Sequence, residues 1–183
     1  MILVYMIALA VAVGYLRGGR LKHYLEEPLS GVFFPVAAFA IEAALPVFGK
    51  EYLGLAVTVE YALIFLFIFV NRRLKPIWLI GVGVVLNALV IFANGFRMPV
   101  TPVVYHPAFE RFVERVQSGE LFEYVLVGWD GPLWFLGDTI PITRVVPGIA
   151  SVGDFVLAAG MYWLIQRFMK SAEKQESKAQ AAE

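Results

Sequence analysis

Apolar residues in this chain fall into five long runs, each closed by charges or turn-forming residues: Ile2–Leu16, Pro28–Phe48, Leu53–Val70, Ile77–Phe92 and Ser151–Met169. The runs are 15 to 21 residues long. A helix needs about 20 apolar residues to cross a hydrocarbon core of about 30 Å. The pattern therefore predicts an all-α integral membrane protein with about five transmembrane helices. Ala10, Gly14 and Gly18 recur every fourth residue around the first run, a spacing that lets helices approach closely in lipid. That run is short, so it is expected to continue to about Leu21 or to sit in a thinned region. Between the fourth and fifth runs lies a long loop, 94–150. Within it Phe109, Phe112, Val113 and Val116 repeat at helical spacing, with Glu110, Arg111, Glu114 and Arg115 on the other face. This predicts an amphipathic helix lying in the membrane interface, ended by Gly119. Leu121–Val127 is a second apolar run, and Trp129–Pro132 reads as a turn.

Charge placement supplies the orientation. Lys and Arg gather in cytoplasmic loops. Arg17, Arg20 and Lys22 follow the first run, Arg72, Arg73 and Lys75 follow the third, and Arg167, Lys170, Lys174 and Lys178 close the fifth. The N-terminus is thus expected outside, the C-terminus in the cytoplasm and the 94–150 loop outside the cell membrane. Nothing basic precedes Ile2, which reverses the order of a signal peptide. With 183 residues, the expected organisation is one polytopic domain over 1–170, and a polar, disordered tail over 171–183.

Composition narrows the chemistry. Fifteen basic and fifteen acidic residues cancel, so nothing in the net charge favours nucleic acid. Absence of cysteine excludes disulfides and thiolate-bound metals or clusters. His23 and His106 are expected on opposite faces, which disfavours a bis-histidine haem. No metal and no cofactor are expected.

Polar side chains inside the runs need an explanation, because ionisable groups at bilayer depth are costly. Glu42 lies roughly 9 Å and Glu60 roughly 11 Å from the outer ends of their helices, by helical rise. Asn87 reaches the same outer layer from the fourth run. Asn94, Arg97, Asp138, Arg144, Ser151 and Asp154 follow at the outer rim. One pocket opening outward accounts for them together. Local structural roles compete with it. Glu42 and Glu60 can be protonated or bonded to a neighbouring helix. Asn94-Gly95 suits a helix C-terminus, and Ser151-Val-Gly-Asp154 has the form of a capping box. Asp138, ahead of Pro141, suits an Asx-type turn, and His106 a helix flank. Arg97 stands against the charge trend and calls for an anionic partner.

The stretch Asn87–Val100, with Leu136-Gly137-Asp138 to Pro141, Ser151–Asp154 and Gly18–Leu21, resembles a bacterial family of small multi-spanning membrane proteins known only as a domain of unknown function. The resemblance implies a fold and candidate residues rather than an activity. Asp138 and Asp154 are also similar in placement to the two catalytic aspartates of lipoprotein signal peptidases. That similarity implies a hydrolase in which Asp138 and Asp154 activate water. Thr139 stands where those enzymes carry an arginine, and the span count and aromatic loop differ.

Three functions are therefore expected to compete. In the first, the protein binds an amphiphilic, lipid-like molecule. Arg97 and Arg144 hold an anionic head, and Asn87, Asn94, Glu42, Glu60 and Ser151 line the pocket. In the second, Asp138 and Asp154 catalyse hydrolysis. In the third, the chain is a non-catalytic subunit of a membrane complex.

Overall fold

The computed structural model describes residues 2–19, 28–142 and 148–180, with side chains as far as residue 169. Helices dominate it: α1 (Ile2–Leu16), α2 (Phe33–Phe48), α3 (Leu53–Val70), α4 (Lys75–Ala93), α5 (Glu110–Gln117) and α6 (Val152–Gln180). Each of the five apolar runs contains one long helix. Two helices are long and apolar enough to cross a membrane: α3, which reaches 21 residues with the 3-10 turn from Lys50, and α4, with 19. α1 and α2 are apolar but shorter, at 15 and 16 residues. The run from Pro28 begins with a turn, so its helix starts only at Phe33. α6 continues through the expected disordered tail to Gln180, as its Ala, Glu, Lys and Gln content favours.

In the packing, α1 lies on α6, α6 on α4, α4 on α3 and α3 on α2. Leu74, Ile77, Ile80, Val84 and Leu164 form the core between α4 and α6, with Ile64 and Ile68 of α3 against it. A second cluster, Leu45, Leu53, Ala56 and Val57, joins α2 to α3. Large apolar side chains also point outward, among them Phe39 at 70%, Val47 at 85% and Leu55 at 66% exposure.

Small residues set the closest approaches. A Cβ on Gly83 would lie 2.6 Å from the Leu157 backbone nitrogen and 2.7 Å from the Gly153 oxygen, so α4 and α6 meet backbone to backbone. Ala10 and Gly14 are buried on α1, and Gly14 packs on the Met169 side chain of α6. Gly18 does not extend that stripe. It has φ +79° and a Cβ there would meet nothing within 4 Å, and Gly19 takes the packed position against Met169. Gly18 instead supplies the left-handed turn that ends α1.

The loop after α4 is a folded cap, which corrects the all-α expectation. β1 (Met98–Val100) pairs in parallel with β2 (Tyr124–Leu126), and β3 (Ile140–Ile142) pairs antiparallel with β4 (Gly148–Ala150). A parallel bridge between Val100 and Asp138 ties the segments together. Strands of three residues are too short to show alternation in a sequence. α5 forms where its periodicity predicts. Its Phe112 and Val113 pack on the cap's own core of Val100, Val104 and Phe109. That core is a partner the interfacial reading did not include.

The backbone contact at Gly83 makes a direct prediction. Gly83→Ala should lower stability by about 2 kcal/mol through overpacking. Gly81→Ala, whose added Cβ meets only Ile68 at 3.4 Å, should leave it unchanged or slightly raised. Thermal unfolding of both variants in detergent checks the contrast.

Candidate functional site

A cavity of about 510 Å³ sits where the helices meet the cap. Ile2 and Leu3 of α1, Glu42 and Leu45 of α2, Val57, Glu60 and Tyr61 of α3, and Ile91 of α4 form its helical walls. Phe122, Glu123, Tyr124, Asp138 and Ile149 close it from the cap, and Asp154 enters from the first turn of α6. The N-terminal ends of α1, α3 and α6 and the C-terminal ends of α2 and α4 thus surround one space.

Helix α6 begins here through a closed set of hydrogen bonds. The Asp154 N–H donates to Ser151 Oγ at 3.0 Å, and the Ser151 N–H donates to Asp154 Oδ2 at 3.0 Å. This is the capping box the sequence suggests. The Ser151 hydroxyl donates to Asn87 Oδ1 at 2.8 Å, and Asn87 Nδ2 donates to Asp154 Oδ1 at 2.9 Å. α4 is thereby clasped to α6, and both Asp154 oxygens are occupied. Gly153 has to be glycine at this spot, since an added Cβ would fall 2.0 Å from Asn87 Oδ1.

Asp138 is held differently. Its N–H donates to the Pro99 carbonyl at 2.9 Å, and its carbonyl accepts the Thr101 N–H at 3.3 Å. These backbone bonds seat it beside β1 rather than in the expected Asx turn. The residue is only 6% exposed, and Oδ1 has no hydrogen-bond partner. Burial, reinforced by the nearby Asp154 charge, pushes its carboxyl up to about 7. Burial and the Asp138 charge likewise hold the Tyr124 phenol above its ordinary range, so it stays protonated. Glu60 Oε1 is a second buried oxygen without a partner.

Among the residues expected at the site, Glu42, Glu60, Asp138 and Asp154 line the cavity, and Asn87 and Ser151 brace Asp154 from behind. Arg97 does not join them. It is exposed and absent from the cavity wall, because Gly95 and Phe96 turn the chain with positive φ just before it. Asn94 ends α4, its amide donating to the carbonyls of Val90 and Pro132 at 2.8 Å each. Arg144 lies outside the described residues. His106 is exposed and accepts the Ala108 N–H at 3.1 Å, flanking a helical turn as expected.

Tyr61, Glu123 and Tyr124 belong to the cavity and were missed by the sequence reading. The acid in Phe122-Glu123-Tyr124, inside an apolar run, was the available signal. The wall carries five carboxylates and no Lys or Arg among the described residues. Those residues also contain no group of three His, Cys, Asp or Glu placed to hold a metal ion.

These features define a mostly helical protein, with two helices of membrane-spanning length and apolarity, built around an acidic cavity roofed by a small cap. The chain belongs to a family of unknown function, DUF5317, whose model matches residues 28–166. That match takes in α2 to α4, the cap and the start of α6, and hence every carboxylate of the cavity. No curated protein and no solved structure matches the chain.

Two measurements test the site's construction. Ser151→Ala removes a helix cap and strips Asn87 Oδ1 of its donor, and should cost about 2 kcal/mol in thermal unfolding. Asp138 makes stability depend on pH. Its carboxyl rises from 3.8 to about 7 on folding, so the folded state holds a proton that the unfolded chain releases. The stabilising contribution is complete below about pH 4, declines as pH rises toward 7, and is flat above. Asp138→Asn should flatten this slope and raise stability at about pH 8 by on the order of 2 kcal/mol, read as a higher melting temperature.

Proposed function

We propose that this protein is a multi-pass protein of the cell membrane that binds an amphiphilic molecule, its head in the acidic cavity and its tail along α2 and α3. Supporting this is a second hollow beside the first. An apolar groove of about 590 Å³ runs between α2 and α3, lined by Ala40, Ala44, Phe48, Leu55 and Val59, and shares Leu45 with the cavity. Polar and apolar compartments meeting at one residue suit a ligand with a head and a tail.

Membrane placement rests on the outward apolar side chains, which a soluble monomer rarely displays in such number. It also rests on the alternating helix ends around the cavity, which suit five spans, α1 to α4 and α6, with the cap outside. The basic residues after the first, third and fifth runs then face the cytoplasm. α5 would sit at the headgroup level, with its charged face toward water.

One observation favours a second reading, an aspartate hydrolase. Each Asp154 oxygen accepts an N–H, while Asp138 in the same cavity is buried with its carboxyl pushed up to about 7. Two carboxyls in such different surroundings suit the base and acid that hydrolysis requires.

Mass spectrometry after mild solubilisation tests the binding reading. A discrete amphiphile should copurify with the full chain, and Ala44→Phe, which fills the groove, should reduce its occupancy roughly tenfold without lowering the melting temperature. Absence of any bound amphiphile from the unsubstituted protein overturns it. Cleavage of a lipid-modified peptide, abolished alike by Asp138→Asn and Asp154→Asn, would give the site to the hydrolase.

A further inference from the structure

We infer that the head group this cavity takes is a primary ammonium, so that the ligand is a single-chain or lipid-linked amine rather than an anionic lipid. The inference rests on the amphiphile reading above and names its chemical class. Three observations carry it. Glu42, Glu60, Glu123, Asp138 and Asp154 line one space of about 510 Å³, with no Lys or Arg among the described wall residues, and the N-terminal ammonium opposes the rise at Asp138 less than burial and Asp154 promote it. Of the two cations expected to hold an anionic head, Arg97 is exposed and outside that wall, and Arg144 lies outside the described residues. Asp138, 94% removed from solvent, lines the cavity and has an oxygen with no hydrogen-bond partner, and Glu60, also in the wall, has another.

A buried acceptor without a donor costs about 1–3 kcal/mol, which a ligand supplying the donor recovers. A cation satisfies the charge, but only one bearing N–H groups satisfies the orphan oxygens. A primary ammonium has three such donors, and a quaternary ammonium has none. Each Asp154 oxygen already accepts an N–H, from Asn87 and Ser151, so the oxygens in need of a donor are those of Asp138 and Glu60. The compact charge and the count of donors select among amines.

The experiment uses the full chain in a neutral maltoside detergent, with four twelve-carbon probes: dodecylamine, dodecyltrimethylammonium, dodecyl phosphate and monolaurin. Native mass spectrometry reads occupancy, and thermal unfolding reads stabilisation. Dodecylamine should bind one per chain and at least about tenfold more tightly than the other three, as one lost charge-assisted hydrogen bond implies. Asp138→Asn should reduce that binding at least about tenfold, while Arg97→Ala leaves it unchanged. The Asn variant is expected to melt no lower than the unsubstituted chain, so its loss of binding is not loss of fold. If dodecyl phosphate or monolaurin binds as tightly, or Asp138→Asn binds dodecylamine unchanged, the ammonium assignment is overturned and the amphiphile reading stands. If no probe binds, the amphiphile reading fails and takes the assignment with it.

Discussion

The clasp between Asn87, Ser151 and Asp154 is the constraint on which the rest of this structure depends. Four hydrogen bonds of 2.8 to 3.0 Å close it, and each polar atom used has a partner within the set. It requires α4 and α6 to approach until only hydrogen fits between their backbones, which Gly83 and Gly153 permit. In return it starts α6 at a fixed point, where the helix dipole meets the Asp154 carboxylate. The same geometry turns Asp154 toward the cavity and sets the charge that Asp138 feels. Packing and site electrostatics thus share one set of atoms.

The cap follows from that fixed point. β4 ends at Ala150, one residue before the clasp, and β3 pairs with it in register from Ile140 to Ile142. Asp138, two residues before β3, is drawn against β1 by the Pro99 and Thr101 backbone bonds. A Cβ on Gly137 would lie 2.4 Å from the Pro99 oxygen, so the chain passes β1 too closely for any side chain there. Burial of Asp138 is a consequence of this backbone route, with no partner provided for its side chain. The cap therefore delivers an acid that the fold does not satisfy.

Much of this was legible in the residues, for identifiable reasons. Long apolar runs bounded by charges mark the helices, so α1 and α3 begin and end where their runs do. Ser151 and Asp154 were readable because capping is local, and Glu42 and Glu60 because an acid amid apolar residues stands out. Arg97 misled, since its exposure is decided by the turn at Gly95 and Phe96 and not by its neighbours' hydropathy. The strands stayed hidden because three-residue pairings depend on segments as far apart as Met98 and Tyr124. Tyr61 and Tyr124 reach the cavity only through tertiary packing, which no periodicity encodes, whereas Glu123 carried the same signal as Glu42 and Glu60, an acid amid apolar residues.

Polar groups at the two ends of the helices differ in a way that bears on purpose. At the end away from the cap, Asn71 accepts the Ser30 N–H at 2.9 Å and donates to the carbonyls of Ser30 and Phe67 at 2.8 Å each, joining α3 to the turn before α2. Gln166 of α6 donates to the Ala10 carbonyl, and its oxygen accepts from Arg17 at 3.3 Å. Each oxygen and nitrogen of these two amides has a partner, as polar groups that merely lock helices should. At the cap end Asp138 and Glu60 keep oxygens unpaired beside open space. If helix locking were the whole purpose of the acids, the economical sequence would carry amides like Asn71 there, without the cost of a buried charge. Carboxylates retained without partners, next to an apolar groove, are better explained by a donor that arrives from outside the chain.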